Sequence, residues 1–215
     1  LGINPDQSLP LPESLPAPDR VAALIRGRRS IRQFRPEPLD PDQIDHLLRT
    51  VANAPTGKNS RQCLFTLIDD RATMDELRRR TLEGLRRAVN EKRLGSDLGY
   101  FRHVGSAGDQ GRDIIFRDAP HLLTVSVPKT VTTADADMVI ALTCFELLAA
   151  AKGIGTLWNA MIKWAFSQVD EDLYAALGVP EDHVRGNFML FGMPAVRYHR
   201  TVQRDDYRLN RVRLV

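Results

Sequence analysis

The sequence predicts an α+β fold, and three observations support it. Helical and strand-like segments follow one another without the regular alternation that would force a doubly wound parallel sheet. Residues 63–68, 121–127 and 186–191 are short apolar runs rich in strand formers and bounded by turn residues. Ala134 to Lys152 is apolar on nearly every helical face, so that helix is covered on several sides, within a core or against another subunit. At 215 residues, with 43% apolar and 27% charged, the chain has the length and composition of a globular protein with a substantial core.

The elements follow in order. Residues 1–20 read as an extended arm or linker, because five prolines stand at positions 5, 10, 12, 16 and 18; the folded domain is expected over 21–215. The chain opens on Leu1, which suits a processed piece of a longer protein. Val21 to Gly27 is a short helix ended by its glycine. Asp40-Pro41-Asp42-Gln43 starts the next helix with a cap, a proline at the first helical position and a capping-box glutamine. Ile44, Leu47, Leu48 and Val51 give it one buried face, and Asn53-Ala54-Pro55 ends it.

After the first strand Asp69-Asp70 turns the chain, and Thr73-x-x-Glu76 opens a helix carrying Leu77, Leu82, Leu85 and Val89 among many arginines. Gly95 to Gly111 holds five glycines, scattered aromatics and His103, which predicts a mobile loop or lid. Gly153 stops the long apolar helix, and the passage from Gly153 to Trp158 is tight and glycine-permitted. A short helix over Asp170 to Leu177, a last core strand and a basic tail complete the chain.

Composition excludes several classes of function. Thirty basic residues face 27 acidic ones for a net charge of +3, and no long basic tract appears. A nucleic-acid-binding module is therefore the remote alternative, and no nucleic-acid partner is expected. Met138 to Ala151 is interrupted by Glu146 and too short to cross a bilayer, so no membrane partner is expected and the location is read as cytoplasmic. Cys63 and Cys144 lie in apolar sequence without metal-ligand spacing, as buried free thiols of a reducing compartment do. The five histidines are scattered, so no metal site is expected. No nucleotide fingerprint, Walker loop or nucleophile elbow is present. With no catalytic side chain in view, a cofactor is expected to carry the chemistry.

Arg28-Arg29-Ser30-Ile31-Arg32-Gln33-Phe34 packs three guanidinium groups and a hydroxyl into five positions. Arginine offers a planar fork to phosphoryl oxygens and serine adds a short donor, although such a run also suits a solvated surface. The run resembles the opening motif of the nitroreductase family of FMN-dependent oxidoreductases. Four later segments resemble that family in the same order: Ala54 to Gln62, Asp118-Ala119-Pro120, Gly153 to Trp158, and Gly192-Met193-Pro194 followed by Arg200 and Arg204.

The resemblance implies a central antiparallel or mixed sheet flanked by helices, in an intertwined homodimer that holds FMN between subunits. It implies that Arg28, Arg29, Ser30 and Arg32 contact the FMN phosphate and ribityl chain, with Arg200 and Arg204 reaching the phosphate from the tail. Pro55, Thr56, Gly57 and Asn59 would line one side of the flavin ring, and Leu157, Trp158, Asn159 and Ala160 would pass the other. NAD(P)H or ferredoxin would be the electron donor, and a nitroaromatic, a quinone or a similar small molecule the acceptor. Dehalogenation, dehydrogenation and flavin destruction are the related chemistries of the scaffold. Cys63-Leu64 departs from the family pattern after Gln62. The tail from Arg197 to Arg204 resembles the subgroup in which a ferredoxin module precedes the nitroreductase domain.

Overall fold

The computed structural model describes residues 8, 10–95, 98–169, 172–202 and 207–213. Helix α1 (Pro18–Gly27) precedes the arginine motif, and α2 (Pro41–Val51) follows it. Strand β1 (Leu64–Ile68), α3 (Arg71–Asn90) and α4 (Leu98–Asp109) come next, then β2 (His121–Pro128) and α5 (Ala134–Ala151). Strand β3 (Gly155–Trp158), α6 (Ala160–Gln168), α7 (Asp172–Ala176), β4 (His183–Val184) and β5 (Phe188–Gly192) finish the chain's regular structure. The main sheet runs β1-β2-β5-β3 with every neighbouring pair antiparallel, and β4 adds to β2. The fold is α+β, as the sequence predicts.

The sheet is covered on both faces, which is why β2 and β5 read as continuous apolar runs. On one face Leu122, Phe188 and Leu190 join Met74, Leu77 and Leu85 of α3, Phe101 and Val104 of α4, and Phe166 of α6. On the other face Leu123, Val125, Met189 and Phe191 pack with Ile44 and Leu47 of α2 and with Met138, Leu142 and Phe145 of α5. Each fully buried side chain of this size contributes roughly 2 kcal/mol of hydrophobic stabilisation.

Local chemistry sets the helix starts. Asp40 caps α2 by accepting from the Asp42 N–H at 2.8 Å, with Pro41 at the first helical position. The α3 cap differs from the expected Thr73. Asp70 accepts both the Thr73 N–H at 2.7 Å and its hydroxyl at 2.6 Å, so the helix starts earlier, at Arg71. Likewise α1 starts at Pro18 rather than Val21, since a proline's fixed φ suits the first helical turn.

The largest difference concerns residues 95–111, where a mobile loop or lid is expected and α4 is found. Phe101, Val104 and Ala107 bury one side of the helix at three-residue spacing. Gly108 lets α4 approach α3, because a Cβ there would lie 2.9 Å from a Leu82 methyl carbon. Phe101 also stacks on Trp164 of α6, with ring centroids 3.7 Å apart. Tertiary packing thus overrides the low helix propensity of the glycines. Helix α6 has no sequence forecast either; Asn159 caps it by accepting from the Ile162 N–H at 3.0 Å. Among the described residues no helix is long and apolar enough to cross a membrane.

Candidate functional site

Arg28, Arg29 and Ser30 leave the end of α1 and run beside β3. Ser30 pairs with Thr156 in a parallel bridge, and Ile31 donates its N–H to the Thr156 carbonyl at 2.9 Å. Gly155 is what allows this approach: a Cβ there would stand 2.7 Å from Ile31 Cγ1. A cleft of about 490 Å³ opens alongside, lined by Arg28, Arg29, Arg35, Gly155, Met193 and Arg197 among others. Four guanidinium groups at one cleft give it an anion-binding character.

The arginines differ in what they already hold. Arg28 Nε lies 3.0 Å from Glu146 Oε1, and Glu146 is only 6% exposed on α5. That ion pair is not aligned as a hydrogen bond, so both atoms keep unused bonding capacity. The other Glu146 oxygen accepts from the Trp158 indole N–H at 3.2 Å. Arg29 donates to the Arg200 carbonyl at 3.0 Å and lies over the Tyr198 ring, 4.3 Å from its centroid. It ties the tail to the motif. Arg32 is exposed, and neither its side chain nor that of Arg200 meets a partner among the described residues. Arg204 lies outside the described residues.

The Pro55 to Asn59 loop is built from a different support. The Gly57 N–H donates to Asp137 Oδ1 at 2.9 Å, and Thr133 Oγ1 donates to Asp137 Oδ2 at 3.2 Å. Asp137 is 2% exposed, so this carboxylate is a buried fixture of the first turn of α5. A Cβ on Gly57 would lie 2.7 Å from Thr133 Cβ, so the loop's approach needs a glycine. Lys58, Asn59 and Arg61 all hold left-handed backbone, at φ 54°, 54° and 51°. Each such residue costs about 1 kcal/mol. The Thr56 hydroxyl offsets part of this by accepting the Arg61 N–H at 3.0 Å. Pro55 stands exposed at the loop's start, and Cys63 is half-buried at its far end. Burial, and then the charge of Asp137, push the Cys63 thiol above its ordinary range, and burial does the same for Cys144. Both cysteines are half-buried free thiols, less enclosed than expected.

Of the third group, Leu157 is core and Trp158 is half-buried against Glu146. Asn159 is buried with its amide committed, since Nδ2 donates to the Ile115 carbonyl at 2.7 Å while Oδ1 caps α6. Ala160 is exposed.

The structure brings the arginine motif, the start of β3, Trp158 and the tail to Arg200 together. The Pro55 to Asn59 loop lies elsewhere. Its support, Asp137, and that of the arginine motif, Glu146, are nine residues apart on α5. Nine residues make two and a half turns, so the two carboxylates occupy opposite faces of the helix, about 14 Å apart along its axis. Both acids escape a motif search. Their signal in the sequence is a charge inside a helix that is otherwise apolar, where an unpaired carboxylate would be costly.

The nitroreductase family model matches residues 25–193. The chain belongs to the nitroreductase family. Among solved nitroreductases, the FMN-bound protein of Bacteroides fragilis NCTC 9343 is 23% identical with a TM-score of 0.70, covering 89% of this chain and 98% of its own. NfnB of Mycobacterium smegmatis, an FMN-dependent nitroreductase solved in complex with NADPH, is 24% identical with a TM-score of 0.60 over 90% of this chain and 99% of its own. Among curated proteins, 5,6-dimethylbenzimidazole synthase of Rhodospirillum rubrum is 26% identical over 199 residues, 82% of each chain.

Proposed function

We propose that this nitroreductase-family chain is an FMN-dependent oxidoreductase that works as a homodimer, with residues 21–215 as its flavin domain and residues 1–20 as an arm. In this reading NADH or NADPH reduces the flavin, which then reduces a nitroaromatic, a quinone or a similar acceptor. The observation that carries it is the division of the site motifs between opposite faces of α5. A flavin touching both groups needs the loop of a second copy. An apolar stripe on α5 supports such pairing: Val139 is 43% exposed, and Ile140, Thr143, Cys144 and Leu147 are only half-buried. On α1, Val21 and Ile25 are also exposed and no residue is buried.

The residues present fit the cofactor. A phosphate dianion needs several convergent donors to offset its desolvation. The cleft supplies Arg28 and Arg29, and Arg32 and Arg200 have side chains free of partners among the described residues. Arg28, Ser30 and Arg32 would hold the phosphate end with the tail arginines Arg200 and Arg204, while Arg29 anchors the tail. Pro55, Thr56, Gly57 and Asn59 of the partner copy would line the ring, opposite Leu157 to Ala160. FMN, when bound, supplies hydride or electron transfer at its N5. The chain's share is to bind and orient, and to set the charge around the ring.

Purified protein is expected to be yellow and to release FMN on denaturation. A colourless protein that FMN cannot reconstitute contradicts the reading. A donor screen with NADH, NADPH and reduced ferredoxin, against nitroaromatic and quinone acceptors, identifies the partners. The likeness to 5,6-dimethylbenzimidazole synthase favours a related flavin chemistry as the second reading, with flavin destruction as its testable form. It predicts that flavin absorbance disappears under turnover in air rather than cycling.

A further inference from the structure

The geometry points to α5 as a two-sided bracket whose buried carboxylates, Glu146 and Asp137, are positioning residues for the two halves of the cofactor site. Glu146 sets the phosphate half and Asp137 sets the ring half. This rests on the FMN reading above and assigns roles to two residues that touch no cofactor in it.

Buried carboxylates are costly unless their bonds are organised, so their partners show what they organise. Glu146 has two: Arg28 Nε at 3.0 Å and the Trp158 indole at 3.2 Å. The first belongs to the arginine motif, and the second stands at the end of β3, so one side chain joins the two segments that border the cleft. By engaging Nε it leaves both Nη groups of Arg28 without a partner among the described residues. A guanidinium held at Nε by an ion pair keeps its outer fork for a second anion, an arrangement that permits end-on bidentate phosphate contact. Glu146 therefore fixes the angle at which Arg28 meets a phosphate.

Asp137 works on the other face. Gly57 N–H and the Thr133 hydroxyl both donate to it, at 2.9 and 3.2 Å. The Gly57 bond is the described anchor of a loop whose next two residues, Lys58 and Asn59, are held in left-handed backbone at φ 54°. Such a conformation persists only where the surroundings impose it. Neither acid is replaceable by the apolar neighbours that fill the rest of α5, because each matches a donor brought by a segment far away in sequence.

The test compares FMN with riboflavin, which is FMN without its phosphate, by fluorescence titration of flavin-stripped protein. The ratio of the two affinities isolates the phosphate contribution. Glu146→Gln is expected to lower that ratio about tenfold, the size of one well-placed charge-assisted contact. Glu146→Asp lowers it similarly, because the charge is kept but withdrawn by one methylene. Trp158→Phe, which introduces no buried charge, lowers it in the same direction and serves if a Glu146 variant does not fold. Asp137→Ala weakens both flavins equally and leaves the ratio unchanged. An unchanged ratio in the Glu146 variants, or a lowered one in Asp137→Ala, overturns the bracket while the flavin reading stands. Failure of the unmodified chain to bind FMN overturns the flavin reading itself and the bracket with it.

Discussion

Arg78 on α3 and Arg32 in the motif that follows α1 are both arginines in a chain that has 25 of them, yet they do opposite things. Arg78 is enclosed. It pairs with Asp75 at 2.6 Å and Asp113 at 3.0 Å, and it donates to the Ala119 carbonyl. Asp113 in turn accepts the Phe116 and Asp118 N–H groups at 2.7 and 3.1 Å, shaping the left-handed turn at Arg117 and Asp118 that leads into β2. Beside it Asp118 is pushed above the ordinary carboxylate range by burial and by the charge of Asp113. Arg32, by contrast, is exposed and meets nothing among the described residues. The charge of Arg78 is neutralised internally and supports the fold, while that of Arg32 has no partner among the described residues. A count of arginines does not separate these two; their surroundings do.

The largest effect is expected from Arg78→Ala. Removing it leaves Asp113 partly buried without its cation, which costs about 3 kcal/mol or more. Denaturant unfolding would measure this, and the surviving folded protein should keep its FMN-to-riboflavin preference. A preference lost along with stability would mean that the two regions are not separate.

His121 breaks the α5 side. It is fully buried, accepts the Leu39 N–H at 2.8 Å through Nε2, and stacks on Phe191. Burial, opposed only in part by Asp69, lowers its pKa from 6.5 to about 4. The folded state therefore binds fewer protons than the unfolded one. Its contribution is complete above about pH 6.5 and is lost as the pH falls towards 4, amounting to roughly 3 kcal/mol. Unfolding curves at a series of pH values should show that decline, and His121→Gln, which can still accept from Leu39, should flatten it.

Arg32→Ala is expected to weaken FMN about tenfold while leaving the melting temperature of the flavin-free protein unchanged. The smallest effect belongs to Arg79→Ala on α3, whose pairs with Glu76 and Glu83 are exposed. Neither stability nor flavin affinity should change measurably.

The sequence made three of the five strands and the long helices legible because their cues are local, whereas β3 reads only as a tight glycine passage and β4 has no forecast. Residues 64–68, 121–128 and 188–192 are apolar runs, and Asp40-Pro41 announces α2 through its own backbone. Helix α4 was hidden because its glycines argue against a helix, whereas Phe101, Val104 and Ala107 gain only from α3 and α6 lying near. The arginine run, the Pro55 loop and the tail were legible as motifs. What ties them to the fold was not. Glu146 meets an arginine 118 positions earlier, and Asp137 meets a backbone N–H 80 positions earlier. In sequence Glu146 reads as an interruption of an apolar stretch; in the fold it joins Arg28 to Trp158.

The central claim, a flavin site assembled from opposite faces of α5 in two copies, is tested most directly by mixing two defective chains. One carries Arg28→Ala and Arg32→Ala, the other Gly57→Val, and each by itself is expected to purify without flavin. Co-expressed with different tags and purified through both, the mixed dimer has one site in which both halves are intact. The account predicts one FMN per two chains. A mixed dimer without flavin would contradict it, because each site would then lie within a single chain.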